Sequence, residues 1–283
     1  MTSGALVLAG GGVAGIAWEI GVLAGIRDVE PAVFDRIMDP ATTFVGTSAG
    51  STVASQLASG VDLDQLYASQ LAEESAELGA EADLAEFSAM MAAAAEGATS
   101  PEEVRRRIGR IALDAKTASA ADRRAVIAAR LPIDAWSDRR LLITAVDTGT
   151  GELRVFDRDS GVDLIDAIGA SCAVPSIWPT VEIQGRQYMD GGMRSAANAD
   201  LAAGCDPVLI VVPSPENSPY GPPIPKAELD ALAPARIHTI FADDAAVAAF
   251  GPNPLDPAVR PASARAGRAL GRAIAREIAA FWA

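Results

Sequence analysis

The sequence predicts an α/β fold built around a mainly parallel sheet, and three observations carry that prediction. Residues 5–9 (Ala-Leu-Val-Leu-Ala) and 208–212 (Val-Leu-Ile-Val-Val) are unbroken apolar runs, the pattern of strands buried on both faces. The first run passes through a glycine loop into helical spacing over residues 16–27. A second short apolar strand passes through another glycine turn into an alanine-rich helix over residues 49–57. Two such units in succession place both turns at the carboxyl edge of the sheet, where open α/β sheets bind ligands.

Composition narrows the class. At 283 residues the chain is long enough for one large domain or two small ones, and half of it is apolar, enough for a sizeable core. The net charge of −14 argues against a nucleic-acid partner and against docking on an anionic membrane by bulk electrostatics. Cys172 and Cys205 make no disulfide framework and read as reduced thiols of a cytoplasmic protein. No Cys/His cluster has metal-ligand spacing, so no metal is expected. The first residues carry neither the basic start nor the cleavage pattern of a signal peptide, and no apolar run reaches the roughly 18 residues of a membrane span.

The first turn, Gly10-Gly11-Gly12-Val13-Ala14-Gly15, admits two functional readings. Gly10, Gly12 and Gly15 satisfy the dinucleotide pattern G-x-G-x-x-G, and a nucleotide-binding oxidoreductase would use them so. That reading needs a carboxylate at the end of the second strand, where this chain has Gly46-Thr47-Ser48. Alternatively, the unobstructed amides of Gly10, Gly11 and Gly12 form an oxyanion hole. Pro31 and Pro40 punctuate the connection to the second strand.

The second turn has the spacing Gly-x-Ser-x-Gly, with Gly46 and Gly50 flanking Ser48. A sharp strand-to-helix turn needs glycines at those places and pushes the serine hydroxyl out above the strand ends. The helix that begins there directs its unpaired amides and dipole at the hydroxyl.

Residues 61–130 are rich in Ala, Glu and Asp with three- and four-residue apolar spacing, and predict several helices. Ser100-Pro101-Glu102-Glu103 is a helix start. The arginines 105, 106, 107 and 110 read as a solvated face pairing with nearby acids. Phe87, Met90 and Met91 read as core filler, with a lipid-contacting lid as the other reading. Strands follow at residues 141–146 and 153–156, then a helix over 162–171 and a hairpin over 181–189 running into Asp190-Gly191-Gly192. Residues 213–225 and 251–261 are proline-containing loops, and 237–241 is a last strand. Residues 261–283 form one amphipathic helix, with Leu270, Ile274, Ile278 and Phe281 on one face and Arg265, Arg268, Arg272 and Arg276 on another. Such a helix either packs on its own domain or lies on a membrane surface.

A serine hydroxyl is a weak nucleophile without a proton acceptor. There are two candidates. His238, the one histidine, would give an α/β-hydrolase-type triad of Ser48, Asp190 and His238, but it sits inside an alternating strand rather than on a loop beyond one. Asp190 stands where a strand gives way to two glycines that leave its carboxylate accessible, and a dry cleft would raise its basicity.

Gly10-Gly11-Gly12-x-x-Gly15, then Gly46-Thr47-Ser48-Ala49-Gly50, then Asp190-Gly191-Gly192, in that order, resemble the patatin-like phospholipase family. Residues 170–175 (Ala-Ser-Cys-Ala-Val-Pro) and the segment holding Asn198 and Ala202 are similar to further blocks of it. The resemblance covers residues 5–60 and 141–212. Two positions depart: Ala14 stands where the family often has a basic residue, and Ala199 where it often has proline. The resemblance implies a three-layer α/β/α fold, and one hydrolase domain over residues 1–283 with a helical insertion at about 61–130 and the terminal helix at about 261–283. It implies hydrolysis of lipid acyl esters, as a phospholipase or lysophospholipase, by a catalytic dyad: Ser48 attacks, Asp190 takes the proton, and Gly10, Gly11 and Gly12 hold the oxyanion. It requires neither metal nor cofactor. The partners it implies are a lipid ester and a membrane surface met peripherally.

Overall fold

The structure, a computed structural model, describes residues 3–80, 84–218 and 221–283. Five parallel strands form its centre, in the order β3 (Leu141–Asp147), β2 (Thr43–Thr47), β1 (Ala5–Leu8), β7 (Val208–Val212) and β8 (Ile237–Phe241). The alternation of β1 shows why the apolar runs are unbroken. Leu6 and Leu8 enter a core beneath the helices α1 (Gly12–Val29) and α3 (Ala49–Ala58), while Ala5, Val7 and Ala9 enter a second core on the opposite face. A strand with two dry faces has no position for a polar side chain. The result is the expected three-layer α/β/α arrangement.

The chain rim of β3 sets the geometry of the site. β4 (Leu153–Phe156) and β6 (Arg186–Asp190) both run antiparallel to β3, and β5 (Val181–Ile183) pairs with β6. Thr144 is matched with both Thr47 and Val155, and Ala145 with both Asp190 and Arg154. A strand residue has only two flanks, so β2 and β6 follow one another along the same edge of β3. β2 ends at Thr47 opposite Thr144, and β6 ends at Asp190 opposite the very next residue.

The segment between β2 and β3 is helical where described: α4 (Leu63–Leu71), α5 (Leu84–Ala95), α6 (Pro101–Asp114) and α7 (Ala120–Ala129). Residues 81–83 of it lie outside the described residues, as do Pro219 and Tyr220 of the proline-rich loop and the first two residues. The hydroxyl of Ser100 accepts from the Glu103 amide at 3.2 Å, the predicted cap of α6. Arg105 and Arg107 pair with Glu102 and Glu103 at 2.6 Å, as their spacing suggests. Met90 and Met91 pack against Ala94, Ile108, Val146 and Met189, which is the filler reading.

Three local features differ from expectation. Pro31 starts a helix rather than merely breaking one: α2 (Pro31–Ile37) has it at the first position, where its missing N–H costs nothing. Beyond α8 (Leu164–Ser171), two short helices, α9 (Lys226–Ala231) and α10 (Asp244–Phe250), lie where no element was predicted. The terminal helix α11 (Arg260–Trp282) packs on its own domain with Ile278 of the predicted face fully buried, but its closest approach is made beside that face, by glycines. Gly267 and Gly271 lie against the carbonyls of Trp18 and Val22, and Gly21 and Gly25 lie against α11 in return, so closely that a Cβ at any of the four would collide with backbone. Leu270, Ile274 and Phe281 are only partly buried, beside this seam. Arg268 and Arg272 close it at one end on Asp28, at 2.8 and 2.6 Å; the Arg268 hydrogen bond leads in holding that carboxyl down at about 2.

Candidate functional site

A cavity of about 210 Å³ opens at the carboxyl edge of the parallel strands. Gly10, Gly11, Gly12, Ser48 and Asp190 all line it, so residues from three separate stretches of the sequence meet there. Gly192 also lines it.

Ser48 occupies the turn between β2 and α3 with φ 52° and ψ −116°, a conformation L-residues rarely adopt. Its neighbours hold it there. Its amide donates to Ser171 Oγ at 2.8 Å, and its carbonyl accepts from Ser51 Oγ at 2.6 Å and from the Cys172 thiol at 3.3 Å. The flanking glycines are set by contact. A Cβ on Gly50 would strike the Leu8 carbonyl, and one on Gly46 would lie 2.5 Å from Ser51 Cα. Helix α3 can therefore start flush against β1, with the Ser48 hydroxyl at its positive end. Ser48 is 8% exposed.

Asp190 is 2% exposed. Its Oδ1 accepts from the Gly192 amide at 2.7 Å, while no donor completes a hydrogen bond to Oδ2 among the described residues. Burial raises its pKa to about 6; against this act the nearby Ser48 hydroxyl, the Gly192 amide and the charge of Arg123. The serine thus stands within electrostatic reach of the carboxylate without a formed bond, a spacing that catalytic pairs often close only around substrate. Asn198 clamps the two strand ends. Its Nδ2 donates to Ser195 O at 2.8 Å, to Thr47 Oγ1 at 3.1 Å and to Gly191 O at 3.3 Å, which ties the residue before Ser48 to the residue after Asp190.

The glycine loop differs from the expectation in one donor. The Gly10 amide already donates to Ala196 O at 2.8 Å. Among the described residues, the amides of Gly11, Gly12 and Ala49 have no acceptor. Gly12 has φ +65°, and a Cβ there would meet Leu255 at 2.7 Å and Pro254 O at 2.9 Å. Gly15 has its amide on Gly11 O at 2.9 Å and packs beside Ala49 and Pro213. The loop is therefore roofed by a stretch far along the chain, and Ala14, in the first turn of α1, donates to Pro254 O at 3.0 Å.

His238 is not at this site. It is the second residue of β8, level with Leu209 of β7, toward the amino ends of parallel strands whose carboxyl ends carry the cavity. Its ring lies 5.3 Å from that of Phe281, and its Nε2 3.9 Å from Glu277. The triad expectation is corrected on that ground. The dinucleotide expectation also loses its support, since β2 ends in the serine turn with no carboxylate there.

Several residues of the cavity were missed. Arg123 of α7 and Arg130, the residue after that helix, reach it from the helical segment, and Trp178 and Leu255 wall it. Ser171 and Cys172 stand in the 170–175 block that sequence reading noted without assigning a role. Burial pushes the Cys172 thiol up, against the pull of Arg130 and Arg123. No sequence signal distinguishes Arg123 from the other arginines of its segment. Among the described residues, no group of His, Cys, Asp and Glu is arranged to hold a metal ion, and no helix is long and apolar enough to cross a membrane.

The profile of the patatin-like phospholipase family matches residues 6–203, running through the helical segment as well as the motifs. No curated protein matches the chain. Among solved structures, VipD from Legionella pneumophila is similar at 15% identity and a TM-score of 0.39, covering 74% of this chain and 50% of its own. The type III effector protein ExoU is similar at 18% identity and a TM-score of 0.41, covering 98% of this chain and 53% of its own. The chain thus spans about half the length of either.

Proposed function

Because the chain belongs to the patatin-like phospholipase family, we propose that it hydrolyses acyl esters of lipids with Ser48 as nucleophile and Asp190 as its base. One observation carries the reading: a strained serine at a helix start and a buried carboxyl with an unpartnered oxygen line one cavity beside free glycine amides.

The chemistry follows from the geometry. Ser48 Oγ attacks the ester carbonyl carbon as its proton passes to Asp190. A carboxyl with a pKa of about 6 is still ionised at neutral pH, yet is a better base than an exposed aspartate. The tetrahedral oxyanion lies against the amides of Gly11, Gly12 and Ala49, at the positive ends of α1 and α3. Asp190 returns the proton to the departing alcohol and leaves an acyl group on Ser48. It then takes a proton from water, whose oxygen attacks the acyl carbon; as the bond from that carbon to Ser48 Oγ breaks, Asp190 returns the proton to Oγ and the acid leaves. Val13, Ile16, Val174, Trp178, Met193 and Leu255 give the cavity an apolar wall for the ester's hydrocarbon. We read residues 1–283 as one hydrolase domain, because Arg123 and Leu255 line the same cavity from the helical segment and from beyond the family match.

A fluorophosphonate probe followed by mass spectrometry tests the reading. Label is expected on Ser48 in the wild type, none on Ser48→Ala, and labelling slowed at least about a hundredfold in Asp190→Asn. An unlabelled Ser48 in folded wild type would remove the proposal.

A further inference from the structure

Arg123 is 6% exposed, and its guanidinium forms no hydrogen bond and no ion pair with any described residue. Its Nη1 is fully buried without an acceptor. A buried cation in this state is rare, because each unmatched donor forfeits its hydration. The neighbouring arginine shows the usual solution. Arg130 donates from Nε and Nη2 to the two oxygens of Glu77, both at 2.7 Å, and its Nη1 approaches Cys172 Sγ at 3.8 Å. Arg123 instead stacks on the ring of Trp178, 3.9 Å from its Cζ, and among the described residues has no hydrogen-bond acceptor. Stacking satisfies the face of a guanidinium, whereas its five donors lie in the plane and stay unused. Burial, with help from Arg130, lowers its pKa only to about 10, so the charge persists at neutral pH. The carboxylates of Glu77 and Asp190 act on it through space, but neither forms a hydrogen bond or ion pair with it.

We propose that Arg123 is the anion receptor of the cavity and that it binds the phosphate of a phosphate-bearing acylglycerol, so that such esters are preferred over uncharged ones of the same acyl chain. The assignment rests on the hydrolase reading for its substrate class, but on the cavity alone for its ligand chemistry. Planar in-plane donors match the oxygens of a phosphate bidentately. The glycine loop carries no basic side chain, whereas Arg123 of α7 lines the cavity.

The test separates ligand binding from turnover. An alkyl ether of glycerol phosphate and the matching alkyl glycerol, neither hydrolysable, are titrated by calorimetry into wild type, Arg123→Gln and Arg123→Lys, with inorganic phosphate as a third ligand. The phosphate ether should bind wild type about 10- to 100-fold more tightly than the uncharged ether. Arg123→Gln should erase that gap and leave the uncharged ether unaffected; Arg123→Lys should keep part of it. Equal affinity of the two ethers for wild type overturns the proposal, whether or not the variants fold, as does a gap that survives Arg123→Gln. Inorganic phosphate binding as tightly as the ether overturns the headgroup assignment in favour of free phosphate. Turnover of the two corresponding esters by wild type and Ser48→Ala is read separately: absence of Ser48-dependent cleavage of either ends the hydrolase reading without touching the binding result.

Discussion

Thr47 and Asp190 occupy consecutive places along one edge of β3, opposite Thr144 and Ala145. β2 turns away at Ser48 just where β6 arrives at Asp190, and Thr47 Oγ1 meets Thr144 Oγ1 at 2.8 Å beneath the junction. The encounter of hydroxyl and carboxyl is thus a property of sheet register. A slip of one residue in either strand would turn one of the two side chains to the other face.

The protonation of Asp190 sets the expected pH dependence. Its pKa is about 6 in the folded protein, and in the proposed mechanism only the ionised form can accept the Ser48 proton. The value of kcat/KM for a neutral short-chain ester should rise about tenfold per pH unit below pH 6 and level off above it. Arg123 is among the influences lowering that pKa, so Arg123→Gln should move the acid limb to higher pH. A rate that is flat from pH 5 to pH 8 would contradict the role of Asp190.

His238→Ala should keep most of the esterase activity, within about threefold of wild type, because the ring lies against Phe281 toward the far edge of the sheet. Loss of activity with an unchanged circular dichroism spectrum would restore a histidine mechanism.

Asn198 is fully buried and has φ 50°. Asn198→Ala removes the donor shared by Thr47, Gly191 and Ser195 and one acceptor of Arg194, at 2.8 Å, while Arg194 keeps its two bonds to Asp200 at 2.9 and 2.7 Å. The expected cost is about 1–3 kcal/mol in denaturant unfolding. As the clamp fixes the approach of Ser48 to Asp190, kcat should fall while KM changes little. A lower stability with unaltered kcat would make Asn198 a purely structural residue.

Glu19 of α1 is fully buried, and neither of its carboxyl oxygens has a partner among the described residues. Burial lifts its pKa well above 4.5, against a smaller opposing pull from the Ala9 amide. The folded chain therefore holds a proton that the unfolded chain releases once the pH passes about 4.3. Stability should fall as pH rises from there toward the folded pKa, by up to about 1.4 kcal/mol per unit. Glu19→Gln should remove that slope: more resistant to urea than wild type at pH 8, and little different near pH 4. Parallel stability curves for the two proteins would show that Glu19 does not titrate this way.

The limits of the sequence lie in particular residues. The helix start at Ser100 and the serine turn at Ser48 were legible because caps and tight turns are written within a few neighbouring residues. The apolar face of α11 packs on the core as its spacing suggests, but its closest approach to α1 was not legible because it is made by Gly267 and Gly271, which carry no hydrophobic signal; that approach exists only because α1 presents Gly21 and Gly25 in return. The Gly10 amide likewise looked free until the Ala196 carbonyl was found against it.

From residues alone came the parallel sheet, the two glycine turns on its carboxyl edge and Ser48 with two candidate bases, since unbroken apolar runs and glycine spacing are local consequences of backbone sterics; the choice of Asp190 over His238 came from the family resemblance. Tertiary structure alone decided which amides stay free among the described residues, that His238 stands apart, and that Arg123 lines the cavity with no hydrogen-bond acceptor among those residues. Those outcomes depend on long-range contacts, in which a charge or an N–H group is defined by whatever distant segment folds against it.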